Sequence, residues 1–200
     1  MRPLTVDDLL SLDEYNARRA EYYHAHLRYL DRYRRVRLGP RLTLIFENRQ
    51  TLWYRVQEIL RVARLADPLR VQLELDWFNR LLPRRGRLQA SLLIDLTPGP
   101  AEAADRVYWQ SLSDESIHLR IDQQSLPVQL VTCRPEDRCF GTAYWVEIAV
   151  PAELRPSLID QRKPVRFEVN HAGYCHESLP LSADIRQSLY DDLELSERDG

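Results

Sequence analysis

The hydrophobic pattern of this chain changes its period at Gly86, and this change constrains the fold more than any other feature. Before Gly86, apolar side chains recur at the three- and four-residue spacing that gives a helix one apolar face. After it, the stretch LQASLLIDL, residues 88–96, is apolar at every second position, as in a strand with one buried face. The sequence therefore predicts an α+β protein in which helices come first and strands follow.

Three helices and one short strand are predicted in the first 85 residues. Because residues 4–38 contain neither Gly nor Pro, we expect a long first helix. Tyr15, Tyr22 and Tyr29 recur along it every seven residues and form an aromatic face that requires a partner surface. The helices span about residues 5–35, 50–65 and 69–81, and the strand LTLIF spans residues 42–46. Three side chains of the third helix are expected to point inward: Leu73, Trp77 and Leu81.

A meander of about five strands, interrupted by short helices, is predicted for the rest of the chain. The strands cover about residues 88–96, 117–121, 128–130, 144–150 and 165–169, and the helices cover residues 101–112, 152–159 and 183–193. We expect N-terminal helices packed on a mainly antiparallel β-sheet of about five strands. Residues 1–200 are expected to form a single compact domain, with a mainly helical part, residues 1–85, and a β-rich part, residues 86–200.

Composition narrows the class of protein. The chain of 200 residues is 44% hydrophobic and 29% charged, which is typical of a globular protein. It contains no apolar run of the roughly 18 residues that a membrane span needs, and its first residues lack the apolar stretch of a signal peptide. Three cysteines, an odd number, argue for reduced thiols and against a disulfide framework. We therefore expect a cytoplasmic protein without a membrane partner.

Nucleic acid is not the partner that the charge pattern favours. Tyr and Arg alternate along residues 22–37, a composition that can stack on bases and neutralise phosphates. However, acidic residues interrupt this stretch, the sequence pI is about 6.2, and no nucleic-acid recognition motif follows. The common dinucleotide, nucleotide, zinc-protease and hydrolase motifs are absent from the sequence as well.

The stretch FENRQT, residues 46–51, places polar side chains between a buried strand and an amphipathic helix. In a structural interpretation, Asn48 caps the helix by accepting from a backbone amide of its first turn, Glu47 lies beside the positive end of the helix, and Arg49 pairs with an acid on a neighbouring element. In a functional interpretation, Glu47 is a buried general base or ligand carboxylate, and Arg49 fixes an anion at the helix N-terminus. The sequence leaves both interpretations open.

Glu58 is a second candidate. It lies three residues after Arg55 and three before Arg61 on one side of the second predicted helix, a spacing typical of a surface ion-pair ladder. If Glu58 instead turned toward Glu47 and Glu74, three carboxylates would converge to bind a hard cation or to transfer protons. The spacing is compatible with either arrangement.

Soft metal ligands form the third candidate site. Cys133 and Cys139 flank a predicted hairpin turn, and the stretch HAGYCH supplies Cys175 and His176 after another strand. If the two strand ends are adjacent, these four side chains can coordinate a metal ion. The five-residue interval between Cys133 and Cys139 is wider than that of a zinc knuckle, and thiol exchange between them is the alternative.

Three segments of the chain carry a resemblance: RRVRLGPRLTLIFENRQTLWYRVQEILR, ELDWFNRLLP and LQASLLIDL. The chain resembles a bacterial family of uncharacterised proteins that is catalogued as a domain of unknown function. The resemblance implies no particular reaction. Genes of this family often sit beside those for rubrerythrin-like proteins and iron–sulfur proteins related to heterodisulfide reductase. The resemblance therefore implies a redox or metal-handling setting, with an oxidoreductase or iron–sulfur protein as partner.

The family pattern can be carried over to this chain residue by residue. It falls on Arg34, Arg35, Gly39, Phe46, Glu47, Asn48, Arg49, Thr51, Glu58, Arg61, Glu74, Asn79 and Pro83. The chain departs from the pattern at Ala63, where relatives tend to carry an acid, at Arg55, where an amide is expected, and at Phe78, where Tyr is expected. The candidate binding residues are thus Glu47, Asn48, Arg49, Glu58, Arg61 and Asn79.

The absence of an enzymatic motif predicts a non-catalytic accessory protein or interaction partner, and the gene setting that the resemblance implies places it in a redox or metal-handling system. The alternative is a small enzyme or metal-binding protein whose site is built from the FENRQT residues and Glu58. The face formed by Tyr15, Tyr22 and Tyr29 is predicted to bind a partner or to form a homodimer.

Overall fold

The computed structural model describes the backbone of residues 1–131 and 143–198, and the side chains of the same ranges up to residue 194. Within these ranges six α-helices occur: α1 (Leu12–Tyr29), α2 (Arg49–Ala63), α3 (Pro68–Asn79), α4 (Glu102–Gln110), α5 (Arg155–Ile159) and α6 (Ala183–Arg198). Nine strands accompany them: β1 (Arg35–Leu38), β2 (Leu42–Phe46), β3 (Arg87–Ile94), β4 (Ile117–Ile121), β5 (Gln124–Pro127), β6 (Gln129–Leu130), β7 (Ala143–Ala149), β8 (Val165–His171) and β9 (Tyr174–Glu177). The predicted α+β class is confirmed.

The strands form two antiparallel sheets. The five-stranded sheet has the order β1-β2-β3-β7-β6, and the four-stranded sheet has the order β5-β4-β8-β9. The predicted five-stranded antiparallel sheet is confirmed, but the single meander is wrong, because β3 pairs with β7 and β4 pairs with β8. The edge strands β5 and β9 escape prediction because most of their side chains are exposed and show no apolar alternation.

The two sheets face each other across one apolar core. Phe46 of β2 and Phe167 of β8 meet there, with ring centroids 5.7 Å apart. The other face of the five-stranded sheet is covered by α2 and α3, and Trp145 of β7 packs among the apolar side chains of both helices. Helix α1 packs on α2 rather than on the sheet. Two N-terminal helices therefore lie on the sheet, and the third forms an outer layer.

The first helix is shorter than the sequence predicts. It begins at Leu12 because Ser11 caps it: the Ser11 hydroxyl accepts from the Glu14 amide, and the Glu14 carboxylate accepts from the Ser11 amide. A π-helical turn, Leu30–Arg34, ends it, and the chain continues directly into β1. The predicted start of this helix near Thr5 is therefore wrong, whereas helical backbone continues to Arg34, next to the predicted end at about Arg35.

The turn between β1 and β2 explains why residues 35–38 form a strand rather than the end of the first helix. Gly39 has φ +73°, and a side chain there would collide with Tyr174 and His176 of β9. The Tyr174 hydroxyl accepts from the Arg41 amide at 3.0 Å and donates to the Leu38 carbonyl at 2.9 Å. This contact joins the two sheets and holds the hairpin in place.

Of the three side chains predicted to point inward from the third helix, Leu81 is buried and Trp77 packs against the core, but Leu73 is exposed. Val71, Leu75 and Phe78 are buried, whereas Leu73 is 64% exposed and Leu69 is 76% exposed. The prediction that Leu73 points inward is wrong because leucines occur on both sides of this helix, so helical periodicity does not select one apolar face. In the part of the chain that the structure describes, no helix combines the length and apolar character needed to cross a membrane.

Candidate functional site

An open cleft of about 700 Å³ lies where the N-terminus of α2 meets the end of α1 and the middle of α6. The residues that line it include Tyr29, Arg34, Asn48, Arg49, Trp53 and Asp192. Its volume falls in the range of small-molecule and cofactor pockets. The FENRQT segment therefore supplies part of a cleft, as the functional interpretation requires, but Glu47 is not among the lining residues.

Asn48 is the N-cap of α2. Its Oδ1 accepts from the backbone amides of Gln50 and Thr51, both at 3.0 Å, which confirms the predicted cap. Its backbone amide donates to the Thr51 hydroxyl at 2.9 Å, and its Nδ2 donates to the Tyr29 hydroxyl at 2.8 Å. Asn48 is thus fixed by the helix that it caps and by α1.

A buried ion pair forms the floor of the cleft. Arg34 and Asp192 are each 3% exposed, and Arg34 Nη1 donates to the Asp192 carboxylate. Arg34 Nε donates to the Tyr29 hydroxyl at 3.1 Å, so Tyr29 connects this pair to Asn48. Burial raises the pKa of Asp192 to about 6, although the neighbouring guanidinium acts in the opposite direction.

The N-terminal segment supplies one wall of the cleft. Arg49 Nη2 lies 2.6 Å from Asp8 Oδ1, and Arg2 Nη2 lies equally close to the same atom. The Asp8 carbonyl accepts from Trp53 Nε1 at 2.8 Å. The hydrogen bond from Arg49 holds the pKa of Asp8 well below its usual range. The prediction that Arg49 pairs with an acid on a neighbouring element is confirmed.

Glu47 lies beneath α2 and faces the five-stranded sheet. Its side chain is fully buried, accepts from the Thr51 hydroxyl at 2.6 Å and also accepts from the Ser91 hydroxyl. Arg55 Nη2 lies 2.7 Å from Glu47 Oε1, and the same guanidinium stacks over the Trp145 ring. Hydroxyl groups and a counter-ion therefore satisfy this carboxylate inside the fold.

Glu58 of α2 points toward α1. Its carboxylate accepts from both Arg19 and Arg61 and from the Tyr15 hydroxyl, which lies 2.9 Å away. Burial alone would raise the pKa of Glu58, but these three donors lower it to about 2. The ion pair with Arg61 fits the ladder interpretation. Because Glu58 faces α1, it does not converge with Glu47.

Asn79 binds the N-terminal segment and lies outside the cleft. Its Oδ1 accepts from the Leu4 amide at 2.8 Å, and its Nδ2 donates to the Leu4 carbonyl at 2.9 Å. This pair of hydrogen bonds holds the segment along α3 and so positions Asp8 near Arg49. We infer a positioning role for Asn79.

The soft-metal site stays a prediction. Cys133 and Cys139 lie outside the described residues. Cys175 is exposed and donates to Asn170 Oδ1 at 3.3 Å, whereas the His176 ring packs against Tyr174, with centroids 4.3 Å apart. Among the residues that the structure does describe, no group of three or more His, Cys, Asp or Glu side chains is arranged to hold a metal ion.

The aromatic face of α1 has a partner within the chain. Tyr15 is fully buried and stacks on Tyr22 with ring centroids 5.5 Å apart, and Trp53 of α2 packs edge-on against both. The Tyr29 hydroxyl is bound to Asn48. Homodimerisation through this face stays a prediction, and the contacts that the structure shows there are made by α2.

Two cleft residues that sequence reasoning missed carry signals in the sequence. Asp192 lies seven residues after Ile185 and one before Leu193, so it falls on the buried face of an amphipathic helix. A charged residue on such a face marks a buried interaction. Asp8 ends the sequence TVDD, in which Thr5 and Asp8 form a capping box for a short turn. Its approach to α2 has no local signal.

Comparison with known proteins places the chain in a family. A family model described as Protein of unknown function (DUF3501) matches residues 3–193. The chain belongs to the DUF3501 family. A crystal structure of a novel protein of unknown function from Burkholderia pseudomallei K96243 is similar, with 24% sequence identity over 96% of this chain and 100% of that chain and a TM-score of 0.85. This likeness shows a shared fold. None of the curated proteins compared with the chain matches it.

The DUF3501 membership confirms the resemblance found in the sequence, and the structure places the residues at which this chain departs from the family pattern. Arg55 is the counter-ion of Glu47. Ala63 is exposed at the end of α2, and Phe78 is buried in the core between α2, α3 and the sheet. Only the departure at Arg55 therefore touches a candidate site residue.

Proposed function

We propose that this DUF3501 protein is a cytoplasmic, non-catalytic accessory protein of a redox or metal-handling system, and that it binds an oxidoreductase or iron–sulfur protein. One observation carries the proposal: Glu47 and Glu58, two of the carboxylates considered for chemistry, are both satisfied by arginine and hydroxyl donors within the fold. A general acid or base must reach a proton of its substrate. Because donors within the fold already satisfy both carboxylates, this arrangement supports the role of a binding protein rather than that of a catalyst.

The cleft at the N-terminus of α2 is the surface that we assign to the partner. Its accessible wall combines Arg49 with the aromatic ring of Trp53, and arginine and tryptophan are enriched at the energetic centres of protein interfaces. Gln50 stands exposed at the same wall. The gene setting that the family resemblance implies supports an oxidoreductase or iron–sulfur protein as the partner.

Isothermal titration calorimetry tests this proposal with purified rubrerythrin-like and heterodisulfide-reductase-like proteins from the same genome. We expect saturable binding to at least one of them, and we expect Gln50→Glu to weaken it. This variant keeps the fold because the α2 cap uses only the backbone of Gln50, and a Glu in the first turn suits the helix dipole. Gln124→Glu, the same substitution on the exposed edge strand β5, should leave the affinity unchanged.

Absence of binding to every one of these proteins would overturn the proposal, and so would turnover of a substrate by the protein alone. Equal weakening by Gln50→Glu and Gln124→Glu would remove the cleft as the binding surface.

A second candidate function is a small enzyme or metal-binding protein with a site around Glu47, Asn48, Arg49 and Glu58. The observation that favours it is that Asn48 and Arg49 line an open cleft. Elemental analysis of protein purified anaerobically tests it, with Glu47→Gln and Cys133→Ser alongside. Stoichiometric metal that is lost only in Glu47→Gln would support this site, whereas loss only in Cys133→Ser would support the soft ligands Cys133, Cys139, Cys175 and His176.

Homodimerisation through Tyr15, Tyr22 and Tyr29 is not carried into this proposal. Tyr15 is fully buried, and Trp53 packs against both Tyr15 and Tyr22, so this face has little free surface to offer a second copy.

A further inference from the structure

A second groove, of about 400 Å³, lies between the N-terminal segment and the junction of α2 and α3. One bank is formed by the N-terminal segment, and the other by the end of α2 and the start of α3. Its lining is mainly apolar and includes Leu9, Leu12, Leu65 and Val71. Val6, on the N-terminal bank, is 46% exposed. Apolar surface of this kind gains free energy when a partner removes it from water.

The two banks carry opposite charge. Residues 5–14 contain four acidic residues, of which Asp8 is paired with Arg2 and Arg49, and no basic residue. Residues 60–72 contain three arginines, of which Arg61 is paired with Glu58, and one acidic residue. On the N-terminal bank, Asp7 and Asp13 are exposed, and Asp13 lines the groove. On the opposite bank, Arg64 and Arg70 are exposed. The groove is therefore an apolar strip between an acidic edge and a basic edge.

We propose that this groove is the interface of a two-fold symmetric homodimer. In such an interface the same surface of both copies meets after a rotation of half a turn. When the two-fold axis runs along the groove, the acidic bank of each copy faces the basic bank of the other. An apolar strip with opposite charges on its two sides is complementary to itself under this symmetry. A partner of uniform charge would be repelled by one bank.

The inference rests on this groove alone and is independent of partner binding at the cleft.

Charge reversal tests the proposed symmetry. Sedimentation equilibrium of the wild type at about 1 to 200 μM should show a monomer–dimer equilibrium. Asp13→Arg and Arg64→Asp should each weaken it by more than about tenfold, because each variant places like charges together at both contacts of the dimer. Arg64 has φ +50°, a conformation that Asp tolerates, so this variant is expected to fold.

Mixing the two variants supplies the decisive step. A dimer of one Asp13→Arg copy and one Arg64→Asp copy has opposite charges at both contacts, so the equimolar mixture should form a heterodimer with an affinity near that of the wild type. Glu115→Arg, a charge reversal at an exposed site outside the groove, should leave the dimer intact.

Three results would overturn the inference. The wild type could remain monomeric over the whole concentration range, the dimer could persist in both single variants, or the mixture could fail to restore it. Circular dichroism of each variant separates loss of the dimer from loss of the fold.

Discussion

Arg55 Nη2 lies 2.7 Å from Glu47 Oε1, and the fold removes that carboxylate completely from solvent. The Thr51 and Ser91 hydroxyls satisfy further acceptor positions of Glu47. A buried carboxylate is retained at low cost only when a counter-ion and hydrogen bonds compensate its lost hydration. Glu47 thus attaches the start of α2 to the sheet beneath it, which explains an acid directly after a buried strand.

The first prediction concerns this ion pair. Arg55→Met leaves Glu47 buried without its counter-ion and should lower the free energy of unfolding by about 3–5 kcal/mol. The double variant Glu47→Gln with Arg55→Met removes both charges and should recover part of that loss. Urea unfolding followed by circular dichroism measures both. A single variant within about 0.5 kcal/mol of the wild type would contradict a structural role for the pair.

The second prediction concerns the cap of α2. Asn48→Ala removes the acceptor for two backbone amides and the donor to Tyr29, and should lower the free energy of unfolding by about 1–2 kcal/mol. Asn48→Asp keeps the cap and loses only the donor, so it should cost less. Urea unfolding of the two variants separates the cap from the Tyr29 contact. Equal stability of Asn48→Ala and the wild type would contradict this assignment.

A buried amide gives the third prediction. Gln57 is 1% exposed, and neither polar atom of its side chain has a hydrogen-bond partner within the described part of the chain. Burial of an unpaired amide is costly, so Gln57→Leu should raise the free energy of unfolding by about 1–2 kcal/mol. Gln57→Met, which keeps a similar length, provides the control for shape. A loss of stability in both variants would show that the Gln57 amide is satisfied in solution.

The fourth prediction concerns acid stability. Burial, with the charges of Arg55 and Arg35, lowers the pKa of His26 from 6.5 to about 4, and the ring stacks on Tyr54 at 3.9 Å. Because the folded state binds this proton more weakly than the unfolded state, stability from neutral His26 is complete above pH 6.5 and is lost as pH falls toward 4. Melting temperatures from pH 7.5 to 4.5 should fall less steeply in His26→Gln. Parallel curves would contradict the shift.

The fifth prediction concerns domain organisation. The chain is predicted to be a single compact domain of residues 1–200, and α2 and α3 share a core with the five-stranded sheet. Differential scanning calorimetry should therefore give one transition, with equal calorimetric and van't Hoff enthalpies. Two separate transitions would divide the helical part from the β-rich part.

Sequence reasoning predicted the features of the site that depend on neighbours in the chain. Asn48 lies within four residues of all the backbone partners of its cap, and the alternation of residues 88–96 is a local pattern. Both features can therefore be predicted from the sequence. The contacts of Glu47 cannot be predicted in this way, because its partner Ser91 is 44 residues away in the sequence. The approach of Asp8 to Arg49 likewise depends on how the N-terminal segment is held along α3 by Asn79.

The architecture shows the same division. Strands with one buried face were predicted from alternation, whereas their assignment to two sheets depends on pairings such as β4 with β8 that join distant segments. The sequence of α3 does not decide which face of the helix is buried, because leucines lie on two of its sides. Packing in the fold buries Leu75 and leaves Leu73 exposed.

The most direct test of the account measures two quantities for Glu47→Gln and for Gln50→Glu. Isothermal titration calorimetry gives the affinity for the rubrerythrin-like and heterodisulfide-reductase-like proteins, and urea unfolding gives the free energy of unfolding. If Glu47 serves the fold and the cleft serves the partner, Glu47→Gln lowers the free energy of unfolding and leaves the affinity of the folded protein unchanged. Gln50→Glu then lowers the affinity and leaves the stability unchanged. A Glu47→Gln variant that is as stable as the wild type but has lost binding would contradict the account and return Glu47 to a chemical role.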